Sequence, residues 1–227
     1  MRLLIIDNNI DPDSWGARNL RRYLRLVPEA TAFVRRAPHD DLPRNPGIFD
    51  RVIISGSKTS ALDDAPWISR LHDFIQRTLE LRKPLLGVCY GHQSLARVIG
   101  GKAHVRRAAE AEFGWTTIEI TEPSPLMDGL PQSFYSFSSH FDEVGELPKG
   151  LKRLARSESC EVQAFQVEKY PAFGIQFHPE KDLASAEATL AERKRLGIPD
   201  RLLHPDKSKE LYDSRIGDTI FGNFFKL

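Results

Sequence analysis

Short apolar runs alternating with helix-patterned segments in the first half, a tight strand-to-helix turn at Cys89, and closely spaced strand-like runs in the second half predict an α/β fold. Its expected form is an open, mostly parallel sheet flanked by helices, with an additional strand-rich portion in the second half. Parallel strands need crossovers that cover both faces, so reactive groups gather at the carboxyl ends of the strands.

Arg2–Asp7 is a Leu- and Ile-rich run of the kind buried within a sheet. Turn and cap residues over Asp7–Asp13 lead into a helix from about Trp15 to Leu26. Thr31–Arg35 and Arg51–Ser55 are the expected second and third strands, separated by a loop carrying Pro38, Pro43, Pro46 and Gly47. Asp63–Asp64 followed by Pro66 signals a helix start, after which Trp67, Ile68, Leu71, Phe74, Ile75 and Leu79 recur at helical spacing. The run Leu85–Val88 is the next strand, and a helix over Gly91–Ile99 is stopped by Gly100 and Gly101. Later strands are expected at Lys102–Val105, Trp115–Thr121, Phe134–Phe137, Leu151–Arg156, Val162–Val167 and Ala172–Phe177. Helices from about Leu183 to Leu196 and from about Pro205 to Phe225 complete a single expected domain over residues 1–227.

Hydrophobic residues make up 41% of the 227 and charged residues 28%, enough for a sizeable core under a solvated surface. A net charge of +1 offers no global field to draw in nucleic acid or an acidic membrane, and neither partner is expected. The basic clusters Arg18–Arg25 and Arg193–Arg195 fall in helix-patterned segments, where a solvated face accounts for them. The four apolar residues before Asp7 are too few for a signal peptide, and no stretch approaches the roughly 20 apolar residues of a membrane span. A cytoplasmic location is expected. Cys89 and Cys160 make no disulfide framework, and Cys160, without flanking glycines or a nearby base, reads as packing or surface. His39-Asp40-Asp41, His72, His104 and His204 lack the paired spacing of a metal site, and Gly56-Ser57-Lys58-Thr59 lacks the spacing of a phosphate loop. No metal or cofactor is expected.

The chemistry centres on Gly87-Val88-Cys89-Tyr90-Gly91. A nucleophile on a sharp strand-to-helix turn has strained dihedrals, and bulk at either flanking glycine would clash with neighbouring backbone. The turn also sets Cys89 at the amino end of the next helix, whose partial positive charge favours thiolate over thiol. A small buried hydrophobe is the competing reading of a lone cysteine. Gly174-Ile175-Gln176-Phe177-His178-Pro179-Glu180 ends an apolar strand with a base and an acid two positions apart. In extended backbone such positions share a face, so the Glu180 carboxylate can meet one nitrogen of His178 and leave the other for a thiol proton. A bare His-x-Glu is otherwise a surface ion pair, and its weight here comes from the Cys89 turn.

At these residues the sequence resembles the class I glutamine amidotransferases, the triad type with a cysteine nucleophile. Gly87–Gln93 resembles the family's nucleophile motif and Phe177–Glu180 its histidine–glutamate motif. Ile54-Ser55-Gly56-Ser57 is similar to its oxyanion turn, Glu112-Phe113-Gly114-Trp115 to a structural segment, and Ile220–Phe225 to its last helix. The likeness runs to the amidotransferase domain of GMP synthetase and its stand-alone relatives, and implies a flavodoxin-like sheet. It makes Cys89 the nucleophile, His178 the base and Glu180 its orienter. Backbone N–H groups of Tyr90 and of the Gly56–Ser57 turn would hold the oxyanion. Gln93 and Ser138-Ser139-His140 fall where the family contacts glutamine, with an exposed helix residue and a polar loop as the plainer readings.

The implied reaction is hydrolysis of the glutamine side-chain amide through a cysteinyl thioester. The ammonia would pass to a separate synthetase subunit, because nothing in the chain resembles an ATP-using synthetase. One departure stands out: Ser57 and Lys58 replace the family's usual glycine and proline, and the backbone donor survives only if Ser57 avoids positive φ. Lys58 is either a solvated loop residue or a contact for a substrate carboxylate. Two rival functions stand beside the first. One is a stand-alone hydrolase of γ-glutamyl bonds in peptides or metabolites. The other is a catalytically silent module that only binds a partner, against which the intact Cys–His–Glu set argues.

Overall fold

A computed structural model describes residues 1–11, 15–197 and 202–227. The chain alternates β1 (Arg2–Asp7), α1 (Trp15–Arg21), β2 (Thr31–Arg36), β3 (Arg51–Ile54), α2 (Pro66–Glu80), β4 (Leu85–Val88) and α3 (Tyr90–Gly100). There follow β5 (Val105–Ile120), β6 (Ser133–Val144), β7 (Leu151–Arg156), β8 (Ala164–Val167) and β9 (Ala172–Ile175). After these come α4 (Leu183–Arg195), β10 (Leu202–Leu203), α5 (Ser208–Leu211) and α6 (Ser214–Phe224).

The strands form one mixed sheet whose parallel half runs β2-β1-β3-β4-β9. That order is the flavodoxin-like one, with β9 as its fifth strand. Beyond β9 the sheet turns antiparallel through β8, β7, β5 and β6, and β10 adds a short parallel pairing to β5.

The parallel strands read as unbroken apolar runs because they are covered on both faces. Successive side chains alternate between two cores. Leu3, Ile5, Ile53, Leu86 and Val88 pack with Leu20 of α1 and with Ile216, Ile220 and Phe221 of α6. Leu4, Ile6, Val52, Ile54 and Leu85 pack with Trp67, Leu71 and Ile75 of α2 and with Leu95 of α3. Full burial of each such side chain contributes about 1.5–3 kcal/mol, more than strand propensity spans. Among the described residues no helix is long and apolar enough to cross a membrane.

Four expectations need correction. The segment Lys102–Val105 is not a strand: Lys102–His104 forms a single 3₁₀ turn after Gly101, which sits at φ 93, and β5 starts only at Val105. β5 and β6 are far longer than expected and pair from Val105↔Val144 to Glu119↔Ser133, with an irregularity between Arg107 and Glu112. The first helix tightens to 3₁₀ over Arg22–Leu26, and the last breaks in two, where the Asp213 side chain caps α6 by accepting from the Arg215 N–H at 2.9 Å. β10 has no counterpart among the expected strands. The turn anticipated up to Asp13 lies partly outside the described residues.

β5 also buries a carboxylate. Glu112 accepts hydrogen bonds from His140 Nε2 (3.0 Å), Ser157 Oγ (2.6 Å), Ser159 Oγ (2.7 Å) and Gln163 Nε2 (2.6 Å), joining β5, β6 and the β7–β8 connection. Burial alone would raise its pKa, but His140 and the two serine hydroxyls outweigh it and hold the carboxyl at about 2. A folded value below the ordinary one stabilises the fold above pH ~4.5, and this is lost as pH falls through about 2. Glu112→Ala is expected to cost about 3 kcal/mol or more, because it strands buried donors. Urea unfolding at neutral pH measures that loss, and Glu112→Gln is expected to flatten the acid side of the stability profile.

Candidate active site

β4 delivers Cys89 at φ 50, ψ −102, a conformation costing a non-glycine residue about 1–3 kcal/mol. Two backbone bonds hold it there. The Cys89 N–H donates to the Ile175 carbonyl at 2.8 Å, and the Cys89 carbonyl accepts from the Gln93 N–H at 3.0 Å. The flanking glycines are required by close approach: a Cβ on Gly87 would stand 2.4 Å from the Gly91 carbonyl oxygen, and one on Gly91 would stand 2.4 Å from that of Ile54.

β9 lies beside β4 in the register Val88↔Ile175, so the chain leaves β9 next to the elbow. The His178 N–H donates to the Phe137 carbonyl at 2.7 Å, fixing this exit against β6. His178 Nδ1 lies 2.7 Å from Glu180 Oε1, and Cys89 is the side-chain hydrogen-bond partner of the same ring. With Nδ1 on the carboxylate, Nε2 is the nitrogen left for sulfur. All three side chains are at most 4% exposed. Burial by itself pushes the imidazole pKa down, but the charges of Glu180 and Cys89 and their hydrogen bonds overcome this and raise it to about 9. From behind, the Tyr23 hydroxyl donates to the Pro179 carbonyl at 2.9 Å.

The turn after β3 closes the site. A Cβ on Gly56 would meet His178 Cε1 at 2.9 Å and Cys89 Cβ at 3.5 Å, so this glycine lies against both. Its carbonyl accepts from Ser55 Oγ (2.8 Å) and Asn9 Nδ2 (3.3 Å). Peptide planarity then turns the Ser57 N–H the opposite way. Ser57 is not at positive φ, so serine fits where the family has glycine, and its hydroxyl donates to the Asn8 carbonyl at 2.8 Å. Among the described residues no protein acceptor engages the Ser57 or Tyr90 N–H.

The remaining predicted residues are placed differently. Gln93 is buried and its Nε2 donates to the Asp142 carbonyl (2.6 Å) and to Gln176 Oε1 (3.0 Å), so its amide bridges α3, β6 and the end of β9. His140 has one ring nitrogen at Glu112 and the other 3.1 Å from the Asp142 carbonyl, so its imidazole belongs to the Glu112 network. Ser138 is fully buried. Only Ser139 reaches the thiol, through its carbonyl 3.9 Å from sulfur. Lys58 is exposed, and its charge acts on Glu192 of α4. Cys160 is buried, and burial first of all pushes its thiol pKa up, which suits packing.

Three contributors escaped sequence reasoning. Asn8 supports the turn after β3 by donating from Nδ2 to the Ser55 carbonyl (2.8 Å), and Asn9 supports it through Gly56; their signal was amide side chains at the carboxyl end of the first strand. Lys181, 2% exposed, has its ammonium 4.8 Å from the centre of the Phe137 ring. Burial lowers its pKa to about 7 against the opposing charges of Glu180 and Cys89. No signal marked it, since lysine is rarely buried.

A sheet of this order, with thiol, imidazole and carboxylate at the ends of adjacent strands, defines an α/β protein of the nucleophile-elbow class. Residues 11–196 match the model of the family "Glutamine amidotransferase class-I", and the chain belongs to that family. It is 48% identical over 101 residues to one subunit of the glutamine-hydrolysing GMP synthase of Thermococcus kodakarensis, covering 44% of this chain and 53% of that one. The chain thus spans about half the length of that relative. The glutamine-hydrolysing GMP synthase of Clostridium novyi is 33% identical over 199 residues, 86% of this chain and 35% of that one. A glutamine amidotransferase from Thermotoga maritima shares the fold at a TM-score of 0.81 and 22% identity, covering 100% of this chain and 96% of that one.

Proposed function

We propose that this chain hydrolyses the side-chain amide of glutamine and supplies the ammonia to an acceptor on a separate synthetase subunit. The observation that carries the reading is the Cys89–His178–Glu180 alignment at the elbow. The relatives' names support the partner: both are glutamine-hydrolysing GMP synthases, and the Thermococcus one is named as a single subunit of its enzyme.

In the first step the Cys89 thiolate adds to the amide carbon and the carbonyl electron pair moves onto oxygen. The Ser57 and Tyr90 N–H groups meet that oxyanion, each such donor lowering the barrier by about 3 kcal/mol. The His178 imidazolium protonates the departing nitrogen, and ammonia leaves with a thioester behind it. The neutral imidazole then takes a proton from water as the oxygen attacks the thioester, releasing glutamate and restoring the thiol. Substrate contacts by Gln93 and His140 would run through backbone rather than side chains, given the bonds those side chains make.

A γ-glutamyl hydrolase remains the second reading, favoured only by the Ser57–Lys58 departure. Purified protein is expected to release ammonia from glutamine, to be blocked by one equivalent of a glutamine chloroketone, and to turn over γ-glutamyl dipeptides at least tenfold less efficiently. Faster dipeptide turnover would reassign the substrate. An unlabelled thiol with no ammonia release would leave only the binding module.

A further inference from the structure

Arg18 and Arg21 of α1, Arg22 just beyond it and Arg36 of β2 rim a cleft of about 530 Å³. The rest of its lining is Ala17, Leu24 and Val34, with Asp7, whose carboxylate is engaged by the Asn9 amide, at the end of β1. Spacings of three and four residues put Arg18, Arg21 and Arg22 on one side of the helix, where like charges repel. Arg22 is compensated by Asp182. Among the described residues no carboxylate pairs with Arg18 or Arg21.

Two further observations give this patch a purpose. The volume lies in the range of small-molecule sites, roughly 300–1,000 Å³, and apolar side chains beside guanidinium groups suit a ligand with an apolar body and an anionic end. Guanidinium forks match phosphate oxygens in pairs. The cleft also reaches Asp7 and Arg36, the last residues of β1 and β2, and the carboxyl ends of strands are where doubly wound sheets take ligands.

The rim is wired to the catalytic turn. Arg36 Nη2 donates to the carbonyls of Asn9 (2.8 Å) and Ile10 (3.1 Å). Asn9 Nδ2 in turn donates to Asp7 Oδ1, at the end of β1, at 2.8 Å and to the Gly56 carbonyl at 3.3 Å. That last bond is long, and Gly56 sets the direction of the Ser57 N–H. We propose that this cleft binds a soluble phosphorylated small molecule, and that its occupant, by fixing Arg36 and hence Asn9, tightens the oxyanion turn. The binding half is independent of the glutaminase reading; the activating half rests on it.

The test is calorimetry with adenosine 5′-monophosphate, pyrophosphate and adenosine on the full chain and on the R18A/R21A variant, whose substitutions are at exposed positions. Adenosine monophosphate is expected to bind saturably, pyrophosphate more weakly and adenosine not at all, with at least a tenfold loss in R18A/R21A. Adenosine monophosphate is expected to raise glutaminase kcat/KM at least threefold in the parent and not in R18A/R21A. Asn9→Ala is expected to keep the binding and lose the rise. Absent saturable binding of both phosphates, or equal binding by R18A/R21A, would overturn the site. Binding without activation would overturn the coupling, and tighter binding of a hexa-aspartate peptide would overturn the small-molecule assignment. A chain that binds the nucleotide but never hydrolyses glutamine would sink the glutaminase reading and leave the site standing.

Discussion

Cys89→Ala is expected to lower glutamine turnover by about 10⁴-fold or more, to the background of the assay, because no other group can form the covalent intermediate. The buried thiol Cys160 is no substitute, lying in packing away from the elbow. Folding is expected to survive, since the elbow is held by backbone bonds to Ile175 and Gln93 that alanine keeps. Cys89→Gly sharpens the experiment. Glycine occupies φ 50 without strain, so this variant is expected to melt at a higher temperature than Cys89→Ala while being equally inactive. Ammonia release measured beside thermal melts reads both effects. Activity above about 1% of the parent would remove Cys89 from the mechanism.

Glu180→Gln is expected to cost about 10²–10⁴-fold in kcat and to reshape the pH profile. Glu180 is the first of the groups that raise the His178 pKa to about 9 against burial, ahead of Cys89. The imidazolium therefore persists below about 9 and is lost as pH rises through that value. In the proposed mechanism the protonated ring is the acid for the departing ammonia, so kcat/KM for the parent is expected to have its alkaline limb near 9. Glutamine keeps the shape of the side chain but removes its charge. The limb should then move towards neutral pH, and the rate of Cys89 alkylation by iodoacetamide should shift with it. A limb unmoved in the variant would mean that another group governs the ring.

The sequence made the parallel half of the sheet and the elbow legible because each left a residue-level mark. Leu3–Ile6 and Leu85–Val88 read as strands since burial on both faces demands unbroken apolar runs, and Gly87 and Gly91 flag a turn where backbones nearly touch. His178 and Glu180 could be set on one face from spacing alone. The antiparallel half was less legible. Arg106–Glu110 carries no apolar alternation, because that stretch of β5 is largely exposed and its register with β6 breaks after Arg107. β10 has two residues, too few for any period. Where Gln93 and His140 point depends on partners distant in sequence, Gln176 and Glu112, so tertiary contacts decided what local pattern could not. Lys181 violates the expectation that lysines face water.

The pairing of β4 with β9 joins Leu85 to Ala172, across the whole antiparallel excursion. On the ribosome, then, the sulfur emerges long before the segment that arms it. A nascent chain ending ahead of β9 has neither the imidazole nor the Ile175 carbonyl that anchors the elbow. The pairing of β9 with β4 is the event that brings the elbow and the imidazole together.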